Sequence, residues 1–108
     1  MKAGEVWLVN YPFSDLSGGK LRPALMISKH KHNKDSNSVI LCSITTNPNR
    51  KSVAITQENL KSGTLYEDSY IAYDTLFSLS KIRLYKRIFT INQETVSKVK
   101  EELNKIIF

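Results

Sequence analysis

The stretch RPALMISKHKHNKDSNSVILCSIT, residues 22–45, contains two apolar runs on either side of a charged segment. The first run, 22–28, opens with an Arg-Pro pair, and the second run, 38–45, is apolar over most of its length. Short continuous apolar runs are typical of strands that the rest of a protein covers on both faces. The stretch therefore predicts two central strands, with a charged loop or a distorted hairpin at 29–38 between them.

Further strands are predicted on both sides of this pair. Residues 4–11, GEVWLVNY, alternate between two faces, and a proline at position 12 ends the run. Three more runs with strand character follow the pair, at 52–56, 69–80 and 86–91. The run SYIAYDTLFSLS, 69–80, alternates like one long bent strand. The sequence thus predicts five or six strands.

Helical character is confined to two segments. Between Thr56 and Gly63 the sequence predicts a single helical turn that begins at a capping hydroxyl and stops at a glycine. The C-terminal segment predicts a longer helix, because Asn92 can cap it and Glu94 lies in its first turn. Its apolar positions form one stripe at helical spacing: Val96, Val99, Leu103, Ile106 and Ile107. The elements together predict a mainly β, α+β fold, a small curved barrel or sandwich with a C-terminal helix.

The composition fits one soluble globular domain spanning residues 1–108. Sixteen Lys and Arg residues against ten Asp and Glu residues give a formal net charge of +6. This charge favours polyanionic partners such as nucleic acid, an anionic membrane or an acidic protein. No apolar run approaches the roughly 20 residues of a membrane-spanning helix, and the N-terminal residues lack the features of a signal peptide. The single cysteine, Cys42, lies in an apolar run, which predicts a buried thiol and a cytoplasmic protein.

The spacing of the reactive residues argues against several kinds of site. His30 and His32 have no cluster of cysteines or carboxylates beside them, whereas a zinc site needs about four ligands. The glycine pair at 18–19 precedes Lys20 without the spacing of a phosphate-binding loop. No nucleophile elbow is present. We therefore expect neither a metal ion nor a cofactor.

The remaining candidates for chemistry are basic and hydroxyl groups at strand ends and one carboxylate within a strand. Arg22 precedes Pro23, which restricts the backbone of Arg22 to extended geometry. Thr45 and Thr46 close the third predicted strand, and Asp74 is a carboxylate within an apolar run. A carboxylate among apolar residues is costly unless it is paired or faces a cleft. Because arginine can hold two phosphate oxygens and a hydroxyl adds a neutral hydrogen bond, this set predicts chemistry at a phosphoryl group.

A nucleic-acid strand needs positive charge and stacking surfaces around such groups. Lysines and arginines are spread over the predicted loops and strand ends, and the aromatic residue of the glycine-containing loop is the first candidate for base stacking. The loops expected to set sequence preference are 13–21, 29–37 and 46–52. The residues predicted to contact the strand are Phe13, Gly18, Gly19, Lys20, Lys29, Thr46, Asn47, Arg50, Lys51 and Arg83.

These motifs resemble a known family. The opening GEVWLVNYPF, the glycine-containing loop, KLRPALMIS, SITTNPN and SYIAYDTLFSLSKIRLYKRI are similar, over nearly the whole chain, to the MazF/PemK family of toxin endoribonucleases. The resemblance implies a small SH3-like, half-open β-barrel of the CcdB/PemK/MazF type, and a homodimer. It also implies metal-independent cleavage of single-stranded RNA at short sequences, leaving 2′,3′-cyclic phosphate and 5′-hydroxyl ends. An acidic antitoxin protein would cover the RNA groove, and DNA would be contacted only indirectly, through that antitoxin.

The resemblance also implies roles for residues. The family's catalytic arginine falls on Arg22, its strand-end threonine on Thr45 with Thr46 as the register alternative, and a late-strand acid on Asp74. The chain departs from the pattern of some relatives at two positions that bear on proton transfer. The loop SDLSGGK has no histidine, and Ala72 stands where some relatives have an arginine. In physical terms an arginine suits stabilisation of the phosphorane, a threonine orients a phosphate oxygen, and Asp74 is the candidate base.

Two other functions are alternatives to the ribonuclease. Toxins of the CcdB type, which poison DNA gyrase, share this fold but act through C-terminal residues that include a tryptophan, whereas this chain ends in NKIIF. A nucleic-acid-binding barrel without catalysis is the second alternative, and it would tolerate the loss of Arg22. Mapping RNA cuts made in EDTA separates the ribonuclease from both.

Overall fold

The computed structural model describes residues 1–11, 20–48 and 51–108. Its strands are β1 (Glu5–Asn10), β2 (Leu21–Met26), β3 (Ser38–Thr45), β4 (Ser52–Ile55), β5 (Leu60–Ser62), β6 (Ser69–Ser80) and β7 (Leu84–Ile91). Its helices are α1 (His30–Asp35) and α2 (Gln93–Ile107), with short 3₁₀ turns over Gln57–Asn59 and Lys81–Arg83. Neither helix in this described part has the length and apolar character of a membrane span.

The seven strands of the described residues form one sheet in the order β4-β6-β3-β2-β1-β7-β5. The paired strands run antiparallel throughout. The sheet is not closed, because β4 and β5 lie at its two ends and do not pair with each other. This is the half-open barrel with a C-terminal helix that the resemblance implied, and the fold prediction is confirmed.

The segment predicted as one helical turn divides into two elements. Thr56 caps the 3₁₀ turn as expected, but the turn covers only Gln57–Asn59. The chain then forms β5, in which Leu60 pairs with Ile91 of β7. The prediction of five or six strands was therefore too low, because a strand of three residues, such as β5, depends on its partner and has no pattern of its own.

The charged segment between β2 and β3 is the helix α1, so the predicted loop or hairpin was wrong. Within α1 only Asn33 is buried. Its Nδ2 donates to the carbonyl of Ser28 at 2.9 Å and to the carbonyl of Met1 at 3.1 Å, and Ser28 Oγ donates to Asn33 Oδ1 at 2.5 Å. These hydrogen bonds anchor the helix without an apolar face, which is why no helical pattern marks it in the sequence.

Two apolar cores lie on opposite faces of the central strands. Neighbouring residues of a strand point to opposite faces, so Leu25 of β2 belongs to the core under α2, and Ala24 and Met26 belong to the second core. β3 divides in the same way, with Cys42 in the first core and Leu41 in the second. The prediction that these strands are covered on both faces is confirmed for residues 24–26 of β2 and 41–42 of β3, whereas Leu21 and Ile40 are exposed.

Helix α2 begins and packs as the sequence predicts. Asn92 is its N-cap, and Asn92 Oδ1 accepts a hydrogen bond from the Thr95 N–H at 2.9 Å. The buried part of its apolar stripe covers the first core with Val96, Val99 and Leu103. The last two positions of the stripe, Ile106 and Ile107, are exposed.

β6 reaches both cores because a bulge interrupts it. Two adjacent residues of β3 pair with Ala72 and Leu76 of β6, so residues 73–75 have no partner opposite them. A bulge of this kind bends its strand. Ile71 before the bulge lies in the core under α2, and Leu79 after it lies in the second core. The predicted long bent strand is confirmed.

Candidate functional site

A cleft of about 540 Å³ lies where β2 begins and β3 ends. In the antiparallel pair Ala24 lies opposite Ser43, and continuing this register by two residues places Arg22 opposite Thr45. Residues directly opposite each other in antiparallel strands have neighbouring side chains on one face of the sheet. Both residues line the cleft, so the structure brings together the arginine and the threonine that the sequence singled out.

Two further predicted residues, Thr46 and Asn47, line the same cleft. Its charged groups, among the residues that the structure describes, are Arg22 and Glu67. The lining is completed by Tyr11, Pro23, Ser43, Ile44 and Ser69. The described part of the cleft therefore carries one cationic and one anionic side chain among polar and apolar neighbours.

The hydroxyl of Thr45 is oriented by the turn that follows β3. Thr45 Oγ1 accepts a hydrogen bond from the Asn47 N–H at 3.1 Å. This bond occupies one acceptor site of the oxygen and leaves the hydroxyl proton available for donation. Thr46 is exposed in the turn itself, outside the strand register.

Tyr11 lies beside Arg22 and is tied to β3. Its hydroxyl is 2.6 Å from Ser43 Oγ, and its ring packs on Phe77 with centroids 4.8 Å apart. Burial raises the pKa of Tyr11, although the bond with Ser43 and the positive charge of Arg22 act in the opposite direction. The phenol therefore keeps its proton at neutral pH.

Part of the lining comes from the segment between β5 and β6, which Gln57 holds in place. Gln57 Nε2 donates to the Gly63 carbonyl at 3.1 Å, and Gln57 Oε1 accepts from the Leu65 N–H at 2.8 Å. Gly63 has a φ of +94°, and a Cβ at this position would lie 2.6 Å from Phe89 Cβ. Only glycine fits this turn without strain, so Gly63 fixes where the segment starts, although it follows the strand β5 and does not end the predicted helical turn.

A second cleft of about 420 Å³ adjoins the first. Four residues line both clefts, namely Pro23, Ile44, Glu67 and Ser69. Strand β7 contributes Lys86, which is exposed, and Arg87, whose Nη1 lies 3.3 Å from Glu5 Oε2. The two clefts adjoin each other between Arg22 and the basic residues of β7, an arrangement suited to an extended polyanion.

Asp74 lies apart from this arrangement. It is exposed in the bulge of β6 and is not among the described residues that line the first cleft. Burial first, and the charge of Asp74 second, raise the pKa of the Cys42 thiol to about 12. Asp74 therefore lies close enough to Cys42 for its charge to affect the pKa of the thiol. The catalytic role of Asp74 stays a prediction.

The other predicted contact residues are dispersed. Lys20, Lys51 and Arg83 are exposed immediately before β2, β4 and β7. Lys29 lies beyond the opposite end of β2 from Arg22 and lines a separate depression beside α1, so the structure does not bring these two residues together. Four predicted residues lie outside the described part of the chain, namely Phe13, Gly18, Gly19 and Arg50.

Three polar lining residues of the cleft were not identified from the sequence, namely Ser43, Glu67 and Ser69. Ser43 lies two positions before Thr45 in β3, and strand alternation alone would have placed it on the same face. Glu67 has no such signal, because its position depends on the turn at Gly63 and the hydrogen bonds of Gln57. Within the described residues, no group of three or more His, Cys, Asp or Glu side chains could hold a metal ion.

Comparison with known proteins gives one family and a set of similar folds. The model of the family described as PemK-like, MazF-like toxin of type II toxin-antitoxin system matches residues 2–107. Comparison with curated protein sequences gives no match. A MazE-MazF complex from Deinococcus radiodurans has a TM-score of 0.77 and 22% sequence identity, over 99% of this chain and 95% of that chain.

Two mycobacterial structures are similar to the same extent. An endoribonuclease in complex with its cognate antitoxin, from Mycobacterial species, has a TM-score of 0.77 and 20% identity, over 97% of this chain and 92% of that chain. The Mycobacterium tuberculosis toxin MazF-mt6 has a TM-score of 0.75 and 16% identity, over 94% of this chain and 93% of that chain. At these identities the solved structures show a shared fold.

Proposed function

Because the chain belongs to the PemK-like, MazF-like toxins of type II toxin-antitoxin systems, we propose that it is an endoribonuclease that cleaves single-stranded RNA between Arg22 and Thr45. The observation that carries this proposal is that both residues line one cleft at the ends of paired strands. An arginine and a hydroxyl in this relation can hold one phosphate group from two sides. The proposed reaction takes place in the cytoplasm and uses no metal ion or cofactor.

Cleavage through the neighbouring 2′-hydroxyl makes three demands on the site. The 2′-hydroxyl must lose its proton, the negative charge on the phosphorane must be stabilised, and the leaving 5′-oxygen must gain a proton. Arg22 meets the second demand, because a guanidinium stays charged and presents two donors to phosphate oxygens. Thr45 donates its free hydroxyl proton to the same group. The products are a 2′,3′-cyclic phosphate and a 5′-hydroxyl.

The substrate class follows from this chemistry. The reaction needs a 2′-hydroxyl as the nucleophile, so DNA is bound or excluded but not cut. The adjoining cleft, with Lys86 exposed at β7, gives room for nucleotides next to the cut. Bases at these positions would set the sequence specificity, and the net charge of +6 draws the polyanion to the protein.

We further propose an acidic antitoxin as the protein partner and a homodimer as the assembled form. Two of the similar structures contain an antitoxin, and a net charge of +6 favours an acidic partner. DNA would be contacted only through that antitoxin. Exposed apolar side chains such as Ile82, at 91%, and Phe108, at 96%, supply apolar surface for a second copy of the chain.

The test uses a long unstructured RNA in EDTA, with the cut ends mapped chemically. We expect cuts with cyclic-phosphate ends, none with Arg22→Ala and strongly reduced cutting with Thr45→Ala. Lys98→Ala is the matched control, because it also removes one positive charge but from the exposed surface of α2. It is expected to cut at the unmodified rate.

Three outcomes would contradict parts of the proposal. RNA that stays intact with the unmodified protein rules out the ribonuclease, and stalled DNA gyrase in the same experiment would favour the gyrase-poisoning alternative. RNA binding without cutting would favour the inactive barrel. Full activity of a folded Arg22→Ala variant would move the active site elsewhere while leaving the ribonuclease proposal intact.

A further inference from the structure

Among the residues that the structure describes, the cleft has few groups that could take the proton from a 2′-hydroxyl. Its ionisable side chains, among the described residues, are Tyr11, Arg22 and Glu67. A guanidinium is already protonated and has no acceptor site. The phenol of Tyr11 is protonated at neutral pH, since burial raises its pKa. A carboxylate, in contrast, offers two acceptor oxygens.

We propose that Glu67 is the general base of this site and removes the proton from the attacking 2′-hydroxyl. The inference rests on the proposed ribonuclease function. It names the residue that removes the proton of the 2′-hydroxyl, a step for which neither Arg22 nor Thr45 is suited. It replaces Asp74 in that role, because Asp74 does not line the cleft, whereas Glu67 does.

Glu67 lies in a segment whose backbone is held on both sides. Gln57 bonds Gly63 and Leu65 on its N-terminal side. On its C-terminal side the hydroxyl of Ser69, a buried residue at the start of β6, donates to the Glu67 carbonyl at 3.1 Å. A side chain on a fixed backbone is suited to proton transfer, which requires an oxygen at hydrogen-bond distance from the reacting group.

The charge of Glu67 also needs an explanation. Glu67 is exposed, and a carboxylate beside a bound polyanion repels that ligand. Within the described residues, no lysine, arginine or histidine nitrogen lies within 4.0 Å of Glu67. The charged and titratable groups that share its two clefts are Arg22 and Tyr11 on one side and Lys86, Arg87 and Tyr66 on the other. A role in proton transfer explains an acid at this position.

The proposed step conserves protons and electron pairs. The Glu67 carboxylate takes the proton of the 2′-hydroxyl while the 2′-oxygen forms a bond to phosphorus. The bond between phosphorus and the 5′-oxygen breaks, its electron pair stays on the 5′-oxygen, and water supplies the proton that this oxygen needs. The proton on Glu67 returns to solvent. No oxidation or reduction takes place.

The first experiment compares Glu67→Gln with Asp68→Asn. Both variants remove one negative charge, but Asp68 is exposed and does not line either cleft. We expect kcat for RNA cleavage to fall about 10²- to 10³-fold in Glu67→Gln and to change less than about threefold in Asp68→Asn. Binding of an RNA with a 2′-deoxy nucleotide at the cut should be equal or tighter in Glu67→Gln, because a repelling charge is gone.

The second experiment separates a base from an acid and from a structural role. The pH–rate profile of the unmodified protein should fall on its acidic side, and this fall should be absent in Glu67→Gln. In an RNA with a 5′-bridging sulfur the leaving group needs no proton, so a variant that lacks the base stays slow. Restored cutting of that RNA by Glu67→Gln would make Glu67 the acid and overturn the proposal.

Other outcomes are equally decisive. A Glu67→Gln variant that cuts within threefold of the unmodified rate, beside an inactive Arg22→Ala variant, overturns the role of Glu67 and leaves the ribonuclease intact. A loss that lies entirely in KM, with an unchanged pH profile, makes Glu67 a binding residue and also overturns it. Intact RNA with the unmodified protein removes the proposed function and the inference together.

Discussion

The Tyr11 hydroxyl and Ser43 Oγ lie 2.6 Å apart and join the end of β1 to β3 across the intervening strand β2. Arg22, near the start of β2, lies close enough for its charge to act on the phenol. The bond therefore bridges β2 beside Arg22. We infer that it limits the motion of the strand end that carries the guanidinium, and that Tyr11 is a positioning residue.

The bridge predicts the effect of Tyr11→Phe. The substitution removes the hydrogen bond with Ser43 Oγ, so we expect the free energy of unfolding to fall by about 1 kcal/mol. We expect kcat to fall about fivefold while KM for RNA stays constant, because Arg22 is less well placed but still present. Tyr85→Phe is the control, since Tyr85 is 67% exposed and lies outside both clefts. Equal kinetics of the two variants would contradict the positioning role.

The strand register predicts which threonine acts. Thr45 continues the pairing opposite Arg22 and its oxygen is fixed by the Asn47 N–H, whereas Thr46 lies in the turn. We expect Thr45→Ala to lower kcat about 10²-fold and Thr46→Ala to lower it less than about threefold. Thr45→Ser keeps the hydroxyl and should keep most of the activity. A larger loss with Thr46→Ala would assign the chemistry to the alternative register.

A buried carboxylate predicts how stability depends on pH. Glu5 is 6% exposed, and its oxygens accept hydrogen bonds from Trp7 Nε1 at 3.0 Å and from Arg87 Nη1 at 3.3 Å. Burial raises the pKa of Glu5, but the hydrogen bonds from Trp7 and the backbone, with the nearby positive charges, outweigh it, so the pKa lies below the ordinary 4.5. A lowered pKa stabilises the folded state above pH 4.5, and this contribution is lost as the pH falls through the folded-state pKa.

Glu5→Gln tests this dependence. The variant keeps an acceptor for Trp7 but loses the charge, so we expect the free energy of unfolding to fall by about 1 kcal/mol at pH 7. The difference from the unmodified protein should shrink as the pH falls below 4.5. Urea denaturation at a series of pH values measures both quantities. A difference that stays constant down to acid pH would show that Glu5 acts only through packing.

The turn at Gly63 predicts a stability effect of its own. Gly63→Ala places a Cβ 2.6 Å from Phe89 Cβ at a φ of +94°, so either the backbone or β7 must move. We expect a loss of about 2 kcal/mol in the free energy of unfolding, measured by thermal and urea denaturation. Thr64→Ala, at the exposed next residue, should change it by less than about 0.5 kcal/mol. Equal stability of both variants would contradict the close contact.

Elements whose side chains pack in a regular pattern could be predicted from the sequence. β1 and α2 place apolar residues at the period of a strand and of a helix, β3 is a nearly continuous apolar run, and β6 alternates on each side of its bulge, so their patterns are visible. Helix α1 could not be predicted, because its one buried residue, Asn33, is polar and acts through hydrogen bonds with Ser28. β5 could not be predicted either, since its three residues depend on β7 as a partner.

Some residues of the candidate site could likewise be predicted from the sequence, and the places of others could not. Arg22 and Thr45 stand in strand-end motifs, so their types and positions indicated the chemistry before the fold was known. The place of Glu67 depends on contacts made far apart in the sequence, through Gln57 and Ser69. The position of Asp74 depends on a bulge, and alternation along β6 cannot indicate which way a bulge turns its residues.

The bulge in β6 has a consequence for how the protein unfolds. Ile71 and Leu79 belong to different cores but to one strand, so neither core can be lost while β6 remains bonded along its whole length. The domain should therefore open as one cooperative unit. We expect the backbone amides on the two sides of the bulge to exchange their hydrogens with the same free energy of opening, although they protect two separate interiors.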